Sequence, residues 1–304
     1  MGRLDGRTAI VTGAGRGIGA SVARLLAAEG ASVVVADLGV AIDGSGRDPG
    51  PAEAVVNEIE AAGGVAVAAP VDVSSFEDAE RLVSEAVDMF GGVDVLINAA
   101  GILRDRMIFN MSEEEWDTVI AVHLKGCFNT TRFVSAHWRQ ERKGDYRLIN
   151  FTSIAGLNGR PTGPNYAAAK MGIIGFTWSC ANALGRYGAT ANCISPAAST
   201  RMADTIPPEL LATYRAGPGA ASGDPKVNSP DNIAPAVAYL ASKESGWLNG
   251  RIIGAQEYRI SLWSNPEIHR QIVSDGPWDL DDVFTMVPQA FQSTVEGVRR
   301  FDEA

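Results

Sequence analysis

The sequence predicts an α/β fold, a doubly wound parallel sheet covered by helices on both faces, built as a single domain with a C-terminal extension. Three observations lead there. Apolar runs of strand length at 8–11, 32–36, 65–69, 93–97, 147–151 and 191–195 alternate with helical stretches. Such alternation argues for βαβ units and a sheet buried on both sides. A glycine-rich turn joins the first run to the first helical stretch, and an acid closes the second run.

The first run, Thr8-Ala9-Ile10-Val11, is short, apolar and partly β-branched, which suits a strand. Thr12-Gly13-Ala14-Gly15-Arg16-Gly17-Ile18-Gly19 follows, then an amphipathic stretch from Ser21 to Glu29. Between a strand and a helix, glycines allow φ > 0 and let the backbone approach a pyrophosphate. They also aim the helix's first amides at its charge. The second strand, Ser32-Val33-Val34-Val35-Ala36, ends in Asp37, eighteen residues past Gly19. A dinucleotide (Rossmann) fold places there the carboxylate that binds the ribose 2′-hydroxyl. Residues 40–51 (VAIDGSGRDPGP) are rich in turn formers and read as a mobile loop near the adenosine end.

Tyr166 and Lys170 stand four residues apart, and Ser153 lies thirteen residues before Tyr166. Four residues is about one helical turn, so a helix stacks phenol and ammonium on one face. A free phenol titrates near pH ~10 and is a poor acid or base at neutrality. A neighbouring ammonium favours the phenolate and brings proton exchange toward working pH. A hydroxyl such as Ser153 can hold the substrate oxygen. Ser153 directly follows the strand at 147–151, on the carboxyl edge where doubly wound sheets bind ligands.

The glycine spacing TGxxxGxG, Ser153, Tyr166 and Lys170 together resemble the short-chain dehydrogenase/reductase family, over about residues 5 to 258. The resemblance implies a nicotinamide cofactor and hydride transfer at a carbinol or carbonyl carbon. Tyr166 is then the general acid/base, Lys170 tunes it and holds the ribose, and Ser153 orients the substrate oxygen. Asp72-Val73 resembles the family's adenine-contacting pair. Residues 93–101 (VDVLINAAG) resemble its fourth strand and Asn-Asn-Ala-Gly motif, so Asn98, Ala99, Ala100 and Gly101 join Gly13, Arg16, Gly17, Ile18, Gly19 and Asp37 as cofactor-binding candidates. Residues 192–202 (NCISPAASTRM) resemble the nicotinamide-contacting turn, which adds Pro196 and Thr200.

Two departures stand out. Ala99 replaces the motif's second asparagine, and His123 stands where the family carries an asparagine that completes a catalytic tetrad. Histidine donates or accepts, so two readings of His123 stay open: a proton-relay stand-in or a packed side chain. Residues 101–106 (GILRDR), Trp116-Asp117, residues 122–126 (VHLKG) and 199–202 (STRM) are similar to the D-3-hydroxyacyl-CoA dehydrogenase, or hydroxysteroid dehydrogenase, branch. That implies a bulky hydroxyacyl-CoA or steroid substrate, with Arg104 and Arg106 as candidates to meet coenzyme A phosphates or else a solvated loop. Asp37 favours NAD, since its carboxylate repels a 2′-phosphate; Arg16, before the second motif glycine, is the contrary sign. The alternatives are an NADPH-dependent 3-oxoacyl or ketone reductase and a catalytically silent dinucleotide-binding regulator. The latter would be expected to have lost Tyr166 or Lys170.

The 304 residues carry a net charge of −10, which argues against nucleic acid or an anionic membrane as main partner. Cys127, Cys180 and Cys193 are widely spaced and read as reduced thiols, and three histidines share no metal-ligand spacing, so no metal is expected. No apolar run approaches the ~20 residues of a membrane span. The expectation is a soluble cytoplasmic enzyme that assembles as a homodimer or homotetramer.

Residues 217–230 (GPGAASGDPKVNSP) are dense in turn formers and read as either a substrate lid or a disordered insertion. The domain is expected to end near residue 258. Residues 259–304 hold many large apolar groups, unlike a disordered tail, and are expected to pack on the same or a neighbouring subunit. Asp279 to Asp282 is a candidate helix start.

Overall fold

The computed structural model describes residues 2–200, 224 and 226–295. Strands β1 (Thr8–Thr12), β2 (Ser32–Ala36), β3 (Val65–Ala69), β4 (Val95–Asn98), β5 (Tyr146–Phe151), β6 (Ala189–Ala197), β7 (Ile252–Gln256) and β8 (Arg259–Trp263) form one sheet. Their order is β3-β2-β1-β4-β5-β6-β7-β8. All neighbours run parallel except β8, which returns antiparallel on β7. The order reverses between β1 and β4. This is the switch point at which a doubly wound sheet opens a crevice at its carboxyl edge.

Alternation along each strand divides the core. Val11, Val33, Val35, Ile97 and Ile149 face one side. There they pack on α1 (Gly17–Ala28) through Val22 and Leu26, and on α2 (Gly50–Ala61) through Val55 and Ile59. Ile10, Val34, Leu96 and Leu148 face the other side. They meet Leu82 and Val83 of α3 (Phe76–Phe90), and Val134 and Trp138 of α5 (Gly126–Glu141). A period of two, with both faces apolar, is what a parallel sheet under two helical layers demands. α8 (Ala234–Ala241) adds Val237 and Leu240 to the first side.

The helix starts are legible locally. Ser75 caps α3 by accepting the Asp78 amide at 3.1 Å, and Gly91 ends it at φ 76°. Ser112 and Glu115 form a reciprocal capping box on α4 (Glu113–Ile120). α4 runs into α5 through a π turn, Ala121–Lys125. Such a bulge inserts a residue and re-aims the side chains around it, and here it holds His123. The short helix α6 (Ile154–Asn158) and the long helix α7 (Pro164–Leu184) follow β5.

The loop expected near residues 40–51 is tied down. The Ile42 carbonyl accepts the Leu103 amide at 2.8 Å, and the Asp43 carbonyl accepts Arg104 Nε at 2.7 Å. The loop therefore bridges from the end of β2 to the segment after β4, and α2 begins at Gly50.

The chain divides into two compact units after Trp263. In the second, α9 (Leu280–Val295) starts where the acidic run stands, with Asp279 Oδ1 accepting the Asp281 amide at 2.9 Å. Arg270 donates to the Ala290 carbonyl and the Thr294 hydroxyl. Most of residues 217–230, and Arg201 and Met202, lie outside the described residues. Among the described residues no helix is long and apolar enough to cross a membrane. No group of three or more His, Cys, Asp or Glu among them could hold a metal ion.

Candidate active site

The glycine turn folds tightly against its surroundings at the carboxyl end of β1. Gly13 has φ 68°, and a Cβ there would stand 2.7 Å from the Ala100 backbone. A Cβ on Gly19 would stand 2.1 Å from the Gly13 carbonyl oxygen, so only glycine permits the turn to close. Gly17, at φ 54°, opens α1 and faces Thr200, whose side chain would be 3.6 Å from an added Cβ. The Thr12 hydroxyl accepts the amides of Ala99 and Ala100 at 3.2 and 3.3 Å, which locks the turns after β1 and β4 together. Ile18 packs against the core and starts α1 with its neighbours. Pro196 lies in register with Ala255 near the carboxyl end of β6.

Asp37 leaves the end of β2 and turns its carboxylate into the glycine loop. It accepts the Gly15 amide at 2.8 Å and the Gly39 amide at 2.6 Å. Arg16 does not face outward unpaired. It donates to the Val40 carbonyl at 3.3 Å and lies 3.6 Å from the Asp48 carboxylate.

The packing of α6 on α7 sets Lys170 between the Tyr166 ring and the end of β5, just before Ser153. A Cβ on Gly156 would stand 2.8 Å from Lys170 Cβ, so α6 touches α7 at the lysine itself. Lys170 is 5% exposed, and its ammonium donates to the Phe151 carbonyl at 2.7 Å, two residues before Ser153. The Thr152 hydroxyl donates to the Lys170 carbonyl at 2.8 Å. One turn back along α7, the Tyr166 ring centroid is 5.5 Å from Lys170 Nζ. Ser153 caps α6 by accepting the Ala155 amide at 3.2 Å; its hydroxyl proton remains a donor.

His123 is buried, and its Nε2 lies 3.1 Å from the Ile102 amide and 2.8 Å from the Ile102 carbonyl. Its ring meets Tyr166 edge-on with centroids 5.1 Å apart. Burial, and after it the Lys170 charge, hold its pKa well below the ordinary imidazole range, so the ring is neutral. Its Nδ1 is buried without a hydrogen-bond partner among the described residues. The position thus stitches the π turn to the segment after β4 and borders the tyrosine.

Other sequence candidates are occupied structurally. Asn98 donates to Asn150 Oδ1 at 2.9 Å and accepts Thr130 Oγ1 at 2.7 Å, binding β4, β5 and α5. Asp72 accepts the Ser74 amide and hydroxyl at 2.9 and 2.6 Å. The Val73 carbonyl accepts Asn129 Nδ2 at 2.8 Å. Arg104 lies 3.7 Å from Glu114, and Arg106 Nε lies 3.0 Å from Glu115. Both arginines are paired with carboxylates of α4. Burial pushes the thiols of Cys127 and Cys193 up to about 12 and that of Cys180 to about 11, which disfavours the thiolate; none of the three is in a disulfide.

Two residues around Tyr166 escaped the sequence reading. Asn165 is buried in the first turn of α7, donating to the carbonyls of Arg104 and Glu115, both at 3.0 Å, and accepting the Tyr166 amide at 2.7 Å. Its position beside the tyrosine was its only signal. Arg160 lies over the Tyr166 ring, with Cζ 5.1 Å from the centroid. Nothing in its local sequence marks that placement.

Known proteins resemble this chain over most of its length. Residues 7–210 match the model of the short chain dehydrogenase family. The chain is 42% identical over 287 residues to the hydroxyacyl-CoA dehydrogenase ChsB1 of Mycobacterium tuberculosis, covering 91% of this chain and 86% of that one. It is 41% identical over 238 residues to the peroxisomal multifunctional enzyme type 2 of Drosophila melanogaster, covering 78% of this chain and 37% of that longer protein. The crystal structure of a short chain dehydrogenase from Mycobacterium avium matches with TM-score 0.82 at 42% identity, covering 96% of each chain. A family model that matches more than half the length, with relatives this similar across most of the chain, shows that it belongs to the short-chain dehydrogenases.

Proposed function

We propose that the chain is an NAD-dependent dehydrogenase acting on a secondary alcohol or ketone of the 3-hydroxyacyl-CoA or hydroxysteroid kind. The observation that carries this reading is the buried Lys170 ammonium beside the Tyr166 ring, held by the Phe151 carbonyl two residues before Ser153. The substrate class is supported by the hydroxyacyl-CoA dehydrogenase among its relatives.

The glycine turn fits a dinucleotide. Gly13 and Gly17 adopt positive φ, and the turn leaves no room for a Cβ at Gly13 or Gly19. Gly13, Arg16, Gly17, Ile18 and Gly19 would hold its pyrophosphate at the start of α1, and Asp37 its ribose hydroxyls. When bound, it supplies the hydride acceptor or donor. The proton falls to the chain's own residues. Ser153 donates a hydrogen bond to the substrate oxygen, and Tyr166 takes or gives that oxygen's proton. Lys170 stabilises the phenolate.

NAD is favoured over NADP because the Asp37 carboxylate sits on Gly15, where a 2′-phosphate would meet an uncompensated negative charge. The Asp48 carboxylate beside Arg16 partly offsets the cation that argues otherwise. A second reading, an NADPH-dependent reductase, keeps its support from Arg16. Initial rates on a panel of 3-hydroxyacyl-CoAs and hydroxysteroids, followed by NADH formation, test the proposal. A tenfold preference for NADP reverses the cofactor assignment, and absence of turnover with tight cofactor binding favours a silent regulator.

The reading extends to a cytoplasmic homodimer or homotetramer, with residues 259–304 packing on the same or a neighbouring subunit. Leu280, Phe284 and Val287 stand at helical spacing along α9 and are exposed, which supports it. Light scattering on the full chain and on a chain ending at Trp263 tests it. A shortened chain with unchanged oligomeric state and kinetics counts against it.

A further inference from the structure

Two cations share one phenol in this site. Lys170 approaches Tyr166 from its own helix, and Arg160 approaches from the segment between α6 and α7, its Cζ 5.1 Å from the ring centroid. The Arg160 side chain is 12% exposed, so water screens its charge little. The backbone holds it there: a Cβ on Gly163, the residue before α7, would stand 2.3 Å from Arg160 Nε. The guanidinium pairs with the Asp105 carboxylate on the segment after β4, and its Nε is buried without a hydrogen-bond partner among the described residues. Arg160 is therefore committed to the ring and to Asp105 rather than to a backbone network.

The other charges around the ring are accounted for. His123, from the π turn, meets the ring at 5.1 Å and is neutral. On α4, Glu114 and Glu115 are matched by Arg104 and Arg106. Asp105 is left as the counter-charge to Arg160. Burial raises its pKa against the opposing pull of Arg160.

We propose that Arg160 is a positioning residue that, together with Lys170, favours the Tyr166 phenolate, and that Asp105 sets how much of the Arg160 charge the phenol feels. The inference rests on the acid/base reading of Tyr166 given above. A cation within ~4–6 Å stabilises an anion whether or not it contacts substrate. A guanidinium stays charged throughout the working range. The ring contact also orients the phenol, because a cation prefers the face of an aromatic ring.

The test titrates the full-length protein, with and without NAD, by the ultraviolet difference absorbance of tyrosinate. Each variant is read against the same protein carrying Tyr166→Phe, so the difference isolates this one phenol. Arg160→Gln should move the ionisation midpoint of Tyr166 upward by about half a pH unit or more. Asp105→Asn should move it downward, and Arg160→Lys should hold it near the wild-type position. The acidic limb of turnover against pH should follow the same signs. An unmoved midpoint in Arg160→Gln, shifts of the same sign in Arg160→Gln and Asp105→Asn, or an Arg160→Lys that behaves like Arg160→Gln each overturns the proposal. If Arg160→Gln fails to fold, the opposite-sign shift in Asp105→Asn and the behaviour of Arg160→Lys still decide it. Normal turnover in Tyr166→Phe would sink the acid/base reading, while the titration would still report whether Arg160 acts on the phenol.

Discussion

The imidazole of His123 rests on the backbone of Gly101, so closely that a Cβ built there would stand 2.3 Å from Cε1. Gly101 is not among the residues of positive φ, so it is the approach of this ring that requires glycine. The contact is part of one seam. His123 Nε2 reaches the amide and carbonyl of Ile102, the next residue, and the ring meets that of Tyr166 edge-on. A neutral imidazole has one N–H, so Nε2 serves only one of those two backbone groups at a time.

Gly101→Ala is expected to destabilise the protein by about 1–3 kcal/mol, the usual effect of overpacking a filled site. The shorter side chain of His123→Asn should relieve part of that loss, so the two changes combine non-additively. Chemical denaturation of the two single variants and the double variant checks this. Strict additivity would show that the two residues do not meet as described.

His123→Asn alone should keep activity within an order of magnitude, because an amide can donate to the Ile102 carbonyl and accept its N–H together. It should also change the pH dependence of stability. In the folded chain the His123 pKa lies well below the ordinary value, because burial disfavours the cation. The unfolded chain therefore binds more protons below about pH 6.5, and stability falls as pH drops from there toward the folded value. The slope is at most about 1.4 kcal/mol per pH unit. Melting temperatures from pH 8 down to pH 5 should decline more steeply in the wild type than in His123→Asn. Parallel declines would remove His123 from the acid response, and a collapse in folding would make its packing indispensable.

Tyr166→Phe should bind cofactor normally and lose at least ~10²-fold in turnover, the usual contribution of a positioned acid or base. Lys170→Ala should impair turnover and cofactor binding together. It also strands the Phe151 carbonyl, which now accepts the buried ammonium. Near-normal turnover in Tyr166→Phe would refute the catalytic assignment; steady-state kinetics with cofactor titration by fluorescence decides both.

Asp37→Asn should raise the NADP-to-NAD ratio of kcat/KM by about tenfold or more, since it removes the charge that opposes a 2′-phosphate. Asp48→Asn should shift the ratio in the same direction by a smaller factor. Its ion pair with Arg16 is 3.6 Å long and partly exposed, and such pairs are weak. A ratio unmoved by Asp37→Asn would mean that the carboxylate does not face the ribose.

Most of the strand plan was legible because parallel strands buried on both faces leave a local record. Val33, Val34 and Val35 point alternately to the two helical layers, yet all three are apolar. The glycine turn was legible for a similar reason: Gly13, Gly17 and Gly19 each answer a steric demand within one short segment. Tyr166 and Lys170 could be paired because one helical turn separates them. The extra strand β8 was not legible, since Arg259–Trp263 earns its place by pairing with β7 rather than by its own pattern. The loop over residues 40–51 read as mobile because its sequence carries turn formers, but its hydrogen bonds run to Leu103 and Arg104, about sixty residues away. The same holds for the surroundings of the phenol. Arg160 and its partner Asp105 are separated by 55 positions, and Arg7 reaches Asp145 across 138. Local propensity and spacing act within a few residues, so the sequence by itself determined the parallel strands, the glycine turn and the one-turn pairing of Tyr166 with Lys170. Which charges surround that tyrosine, and which candidate ligands are already spoken for, depends on long-range packing that only the tertiary structure decided.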